Sequence, residues 1–133
     1  MNNEMIYVDT NVLMDFLLGR DKSAFQLLMR AISCEFCILV SNIVAKELHF
    51  NGFDTEMKNL FSILKNMDKL IYDCALDSDH ITALEIIKNH PTHYADALHK
   101  TIAKRNNVRY FVTKNIKDFA CFNDIIVMRP DAI

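Results

Sequence analysis

Short apolar runs that stop abruptly at helix-capping residues, each followed by apolar positions at helical spacing, recur along this chain. Met5-Ile6-Tyr7-Val8 is rich in strand formers and ends in Asp9-Thr10-Asn11, residues suited to a turn and a helix N-cap. Val12, Leu13, Phe16 and Leu17 then keep helical spacing, and Gly19 is a stop before a second helix over 22–33. Phe25, Leu28, Met29 and Ile32 are the expected inner face of that helix.

The same pattern returns at 36–40, closed by Ser41-Asn42 and followed by a helical stretch through Leu48. A helix over 54–67, a strand over 69–72 and a helix over 78–89 follow, the last ended before Pro91. Residues 94–105 read as a helix closed by Asn106-Asn107, and 109–113 and 125–128 read as strands. Alternation of this kind predicts an α/β, three-layer sandwich with a central parallel sheet of about four to five strands flanked by helices.

With 133 residues, 51% of them hydrophobic, there is material for one compact core, and a single domain over 1–133 is expected. Two Gly and two Pro argue against linkers or disorder. No apolar run approaches the roughly 20 residues of a membrane span, and the start Met-Asn-Asn-Glu lacks a signal-peptide pattern, so a cytoplasmic protein is expected. Cys34, Cys37, Cys74 and Cys121 fit that compartment as thiols. The lone Cys34-x-x-Cys37 pair has no second ligand pair at metal-site spacing.

In open parallel sheets, ligands gather outside the C-terminal strand ends where strand order reverses. Asp9 and Thr113 sit at such ends, Glu47 lies one to two turns into the helix after the second strand, and Asp96 begins the helix ahead of the fourth. Asp118 follows that strand by a few residues. Carboxylates collected in one crevice repel one another unless cations bind, and oxygen-only ligands favour Mg²⁺ or Mn²⁺. Such ions support phosphodiester hydrolysis. Each acid also has a plainer role: Asp9 as a helix cap, Glu47 and Asp118 as solvated side chains, Asp96 as a first-turn acid or a partner of Lys100.

Taken together, Asp9-Thr10-Asn11-Val12-Leu13, Ser41 with Glu47-Leu48, Ala95-Asp96-Ala97, and Thr113-Lys114-Asn115-Ile116-Lys117-Asp118-Phe119 resemble the PIN domain, especially its VapC-like toxin branch. The resemblance spans nearly the whole chain. It implies a PIN-like fold and a Mg²⁺- or Mn²⁺-dependent endoribonuclease, commonly the toxin of a toxin–antitoxin pair. By that likeness Asp9, Glu47, Asp96 and Asp118 are the catalytic, metal-holding acids, supported by Asn11, Thr113 and Asn115. Many members carry an acid where Asn115 stands, so one tight metal site is expected before two. A small antitoxin partner and a homodimer are implied as well, with Phe50, Phe53, Phe61 and Phe122 as candidates for such contacts.

From Lys100 to Lys117 the chain has Lys and Arg but no Asp or Glu despite a net charge of -2. Lys100, Lys104, Lys114 and Lys117 are therefore candidates to hold an RNA backbone, or simply a solvated basic face. Two rivals remain: a PIN-like module that binds RNA or protein without cutting, and a phosphotransferase using Asp9 as nucleophile. The latter lacks a second acid, since Asn11 stands where a D-x-D pair would need it. A histidine mechanism through His90 and His93 would need no metal.

Overall fold

In the computed structural model, which describes residues 4–33 and 35–133, five parallel strands form one sheet in the order β3-β2-β1-β4-β5. The strands are β1 (Met5–Val8), β2 (Cys37–Ser41), β3 (Leu70–Asp73), β4 (Tyr110–Val112) and β5 (Val127–Met128). Six helices flank them: α1 (Thr10–Leu18), α2 (Lys22–Ile32), α3 (Asn42–Phe50), α4 (Asp54–Asn66), α5 (Asp77–Asn89) and α6 (Tyr94–Arg105). The expected α/β architecture is present, with the sheet at five strands.

The reason is visible in the burial. Strand β2 is buried at every position and β1 at Ile6, Tyr7 and Val8, as required of inner strands covered on both faces. Edge strand β3 is only half covered, with Ile71 and Tyr72 exposed. The chain winds outward from β1 through β2 to β3, then returns to the other side of β1 to add β4 and β5. Strand order therefore reverses between β1 and β4, and the crevice of the sheet opens beyond Val8 and Val112, which are paired in register.

Local chemistry fixes the ends. Asp9 caps α1, and Gly19 closes it at φ 63°, a left-handed conformation that glycine adopts without a Cβ clash. Asn107, also left-handed at φ 53°, turns the chain out of α6 toward β4 as its Asn-Asn pair suggested. Two one-turn 3-10 helices, Ile116–Phe119 and Pro130–Ala132, carry no apolar periodicity and were not anticipated. The first drives Phe119 into the core, its ring 4.5 Å from that of Phe111.

The face of α2 differs from the expectation. Ala24, Leu27, Leu28 and Ala31 are buried, whereas Phe25 is 52% exposed and stacks on Phe16 at the surface. The two stripes share one spacing and are rotated by a single residue. The stripe that contains two alanines lets the backbone approach its neighbours closely, and that packing outweighs the larger area of Phe25. Of the four phenylalanines offered for partner contacts, Phe122 is buried, Phe53 and Phe61 pack partly against the core, and Phe50 remains 73% exposed.

Cys34 lies outside the described residues. Cys37 is buried in β2 with its Sγ 3.7 Å from the Asp68 carbonyl. No helix among the described residues is long and apolar enough to cross a membrane.

Candidate metal centre

The site begins where β1 becomes α1. Asp9 accepts from the Thr10 backbone N–H through Oδ1 at 2.8 Å and from the Thr113 hydroxyl through Oδ2 at 2.8 Å. Its plain role and its proposed role coincide, because capping fixes a carboxylate that also lines the crevice. Burial pushes the Asp9 carboxyl above the usual range, against the pull of His99, Thr113 and Thr10.

Thr113 is a junction. Its hydroxyl donates to Asp9, and it accepts from the Asn115 N–H at 3.1 Å and the Asn11 side-chain amide at 3.4 Å. Asn11 returns its carbonyl to the Lys114 N–H at 3.4 Å. The expected supporting residues, Asn11, Thr113 and Asn115, are thus one linked group that ties the end of β1 to the loop after β4.

Glu47 reaches the same crevice from α3, a helix started by Ser41, whose hydroxyl accepts from the Val44 N–H. Its Oε1 accepts from Thr10 Oγ1 at 2.9 Å and lies 2.7 Å from His99 Nε2. Burial pushes this carboxyl up, but the hydrogen bond and charge of His99, with Thr10, outweigh it and hold Glu47 below its ordinary value. Asp96, in the first turn of α6, has no hydrogen bond or ion pair among the described residues. Burial first, then the charges of Asp9 and Asp118, push its carboxyl up to about 6.

Asp9, Asn11, Glu47, Asp96 and Asn115 line one pocket of about 310 Å³, with Met14 and exposed Phe50 at its rim. Asp118 lines the adjoining hollow of about 530 Å³ with Lys114, Lys117 and Arg129, and Asn115 borders both. No three His, Cys, Asp or Glu side chains among the described residues are set to share an ion as they stand. The donor chemistry nevertheless fits a hard cation: three carboxylates and three asparagine side chains line one cavity, and the Asp96 carboxylate, pulled down only by the charges of His99 and His93, forms no ion pair there.

The family model described as a PIN domain matches residues 5–117. The chain belongs to the PIN-domain family. Solved structures agree on the fold of this PIN domain. VapBC2 from Rickettsia felis, bound to a DNA fragment from its promoter, superposes with a TM-score of 0.71 at 19% identity, covering 94% of this chain and 98% of that one. A toxin–antitoxin complex from Klebsiella pneumoniae gives 0.70 at 19% identity, over 96% and 99% of the two chains. VapC20 from Mycobacterium tuberculosis, a toxin that cleaves the sarcin–ricin loop, gives 0.67 at 14% identity over 90% and 98%. No curated protein sequence matches the chain significantly.

The lysines of the PIN domain do not gather as the sequence stretch suggested. Lys100 is buried, with its Nζ 2.7 Å from Asp124 and over the Phe122 ring, and Lys104 reaches the same carboxylate at 2.6 Å. Asp124 lies beyond the acid-free stretch and supplies its missing counter-charge. Lys100 is thereby committed to the interior, which corrects its assignment to an RNA surface, and it does not pair with Asp96. Lys114 Nζ lies 2.5 Å from buried Asp15, which also pairs with Arg20. Lys117 is exposed and forms no ion pair among the described residues.

His90 and His93 do not line the acidic pocket. His99, for which the sequence offered only the catalytic or zinc reading open to all five histidines, does not line it either, but its Nε2 lies 2.7 Å from Glu47 Oε1 and 4.0 Å from Asp9 Oδ1. The available signal was its position three residues after Asp96, which puts both side chains on one face of α6.

Proposed function

We propose that this PIN domain hydrolyses RNA phosphodiester bonds with a Mg²⁺ or Mn²⁺ ion held by Asp9, Glu47 and Asp96, as the toxin of a toxin–antitoxin pair. The observation that carries the reading is the convergence of these three acids, from three distant segments, on one pocket. When bound, the ion supplies positive charge that offsets charge building on a phosphate and makes water more acidic.

The protein's own residues supply orientation. Thr113 and the Thr10 N–H fix Asp9, and Thr10 Oγ1 donates to Glu47 Oε1. Asp96 gives up its proton near pH 6 and so offers a carboxylate at neutral pH. Asn115 offers a neutral carbonyl and Asp118 a more distant carboxylate, which favours one tight ion over two. Lys114, Lys117 and Arg129 in the adjoining hollow suit an RNA backbone leading away from the pocket. Exposed Phe50 at the rim suits contact with an antitoxin segment. Assembly as a homodimer and residence in the cytoplasm accompany this reading.

Cleavage of a panel of structured and single-stranded RNAs with Mg²⁺, Mn²⁺ or EDTA, beside Asp9→Asn and Asp96→Asn, tests it. Metal-dependent cutting lost in both variants is expected. RNA binding without cutting or metal uptake would replace the nuclease with a binding module.

A further inference from the structure

Behind Glu47 runs a buried polar chain that ends on the carboxylates of the pocket, with His99 Nε2 also 4.0 Å from Asp9 Oδ1. His99 is 1% exposed, and both of its ring nitrogens are engaged: Nε2 lies 2.7 Å from Glu47 Oε1 and Nδ1 2.6 Å from the Tyr7 hydroxyl. Tyr7, itself fully buried, places that hydroxyl 2.7 Å from Ser41 Oγ. Its ring stacks on Phe111 with centroids 5.1 Å apart and meets His99 edge-on at 5.6 Å.

We propose that His99 is a positioning residue that decides which oxygen of Glu47 faces the pocket, with Tyr7 and Ser41 locking its ring. The inference rests on reading the pocket as a metal centre. The hydrogen bonds order themselves from one fixed acceptor. The Glu47 carboxylate can only accept, so Nε2 carries the ring proton of a neutral His99 and Nδ1 accepts from the Tyr7 hydroxyl. Tyr7 in turn can accept from Ser41 Oγ, which itself accepts the Val44 N–H. A doubly protonated ring also donates from Nε2. In either state Glu47 Oε1 receives two donors, His99 and Thr10, and Oε2 is left for the pocket.

A glutamate on a half-exposed helix face has several rotamers to lose when it binds an ion. A ring held rigidly in the core removes that freedom beforehand, at no cost when the ion arrives. Groups that orient metal ligands in this way typically change metal affinity by about 10–100-fold when removed.

Mn²⁺ titration calorimetry on the wild type, His99→Gln, His99→Asn and Asp96→Asn separates this role from simple core filling. The Gln amide nitrogen reaches about as far as Nε2 and keeps the donor to Glu47, whereas the Asn amide reaches only as far as Nδ1. The expected result is a Kd weakened about 10–100-fold in His99→Asn and largely rescued in His99→Gln. Equal Kd values for His99→Asn and wild type, or equal losses in Asn and Gln, overturn the proposal. Should both variants fail to fold, Tyr7→Phe, which keeps the stack on Phe111, decides it. A weaker Kd at an unchanged Tm supports the role, and an unchanged Kd overturns it. Wild type without Mn²⁺ affinity, or Asp96→Asn binding like wild type, overturns the metal reading and the proposal with it. Loss in Asp96→Asn with none in His99→Asn overturns the proposal alone.

Discussion

Thr113 donates its hydroxyl proton to Asp9 across 2.8 Å, joining residues 104 apart in sequence at the ends of neighbouring strands. The same hydroxyl accepts from Asn11 and Asn115, so a single oxygen aligns the two halves of the crevice. Thr113→Val keeps the shape and deletes the hydroxyl, leaving one buried oxygen of Asp9 without its donor. Stability should fall by about 2 kcal/mol, the cost of an unsatisfied buried acceptor, read as a lower urea midpoint. The Asp9 carboxyl should also rise further, so Mn²⁺ binding near neutral pH should weaken. Unchanged values of both quantities would show that Thr113 matters to neither.

Asp96 gives the metal-free protein an unusual pH dependence. The folded carboxyl keeps its proton to about 6, whereas in the unfolded chain it releases it near 3.8. Between those values the folded state binds more protons than the unfolded state, so this group makes stability fall as pH rises from about 4 to about 6. Asp96→Asn should remove that fall and raise Tm in EDTA at pH 7, while abolishing the Tm gain that Mn²⁺ confers on the wild type. Scanning calorimetry of both proteins across pH 4–7 isolates the effect as a difference. A difference that is flat with pH would contradict the assignment.

Asp124 works with the opposite sign. Burial pushes its carboxyl up, but Lys100 and Lys104 outweigh it and hold it at about 2. Its contribution is therefore present above about pH 4 and is lost as pH falls toward 2. Asp124→Asn strands Lys100, which is 7% exposed, and should cost about 3 kcal/mol. Lys100→Met keeps the packed stem and leaves Asp124 paired with Lys104, so it should be nearly neutral. Chemical denaturation of the two variants reads the contrast, and equal losses would mean that the stem rather than the charge holds this corner.

Lys117 is the lysine best placed to report on RNA. Lys117→Ala should leave Tm unchanged, lower RNA affinity and reduce the salt slope by about one. Lys114→Ala should in addition lower Tm, because buried Asp15 loses one of its two cations. Filter binding at several salt concentrations checks this, and an unaltered slope for Lys117→Ala would direct RNA elsewhere.

What could be read in the sequence was local. The run Met5-Ile6-Tyr7-Val8 into Asp9 specifies a strand and a capped helix within a few residues. The alternation of such units limits the chain to a parallel sheet covered by helices. Asp9, Glu47 and Asp96 could be proposed for the same reason, since Asp9 stands at a strand end, Asp96 in a first helical turn and Glu47 one to two turns into a helix that leaves a strand end, positions that can face one crevice of a parallel sheet. Tertiary structure decided everything that depends on partners far along the chain. Which stripe of α2 is buried depends on how closely backbones pack, and spacing alone does not rank Phe25 against Ala24. Lys100 looked free because its counter-charge, Asp124, lies 24 residues away and beyond the stretch that made it look basic. His99 meets Glu47 and Tyr7 across 52 and 92 residues, and only folding brings those groups within hydrogen-bond reach. Periodicity and capping are properties of neighbouring residues, whereas a buried polar contact forms only after the chain has chosen which surfaces to close.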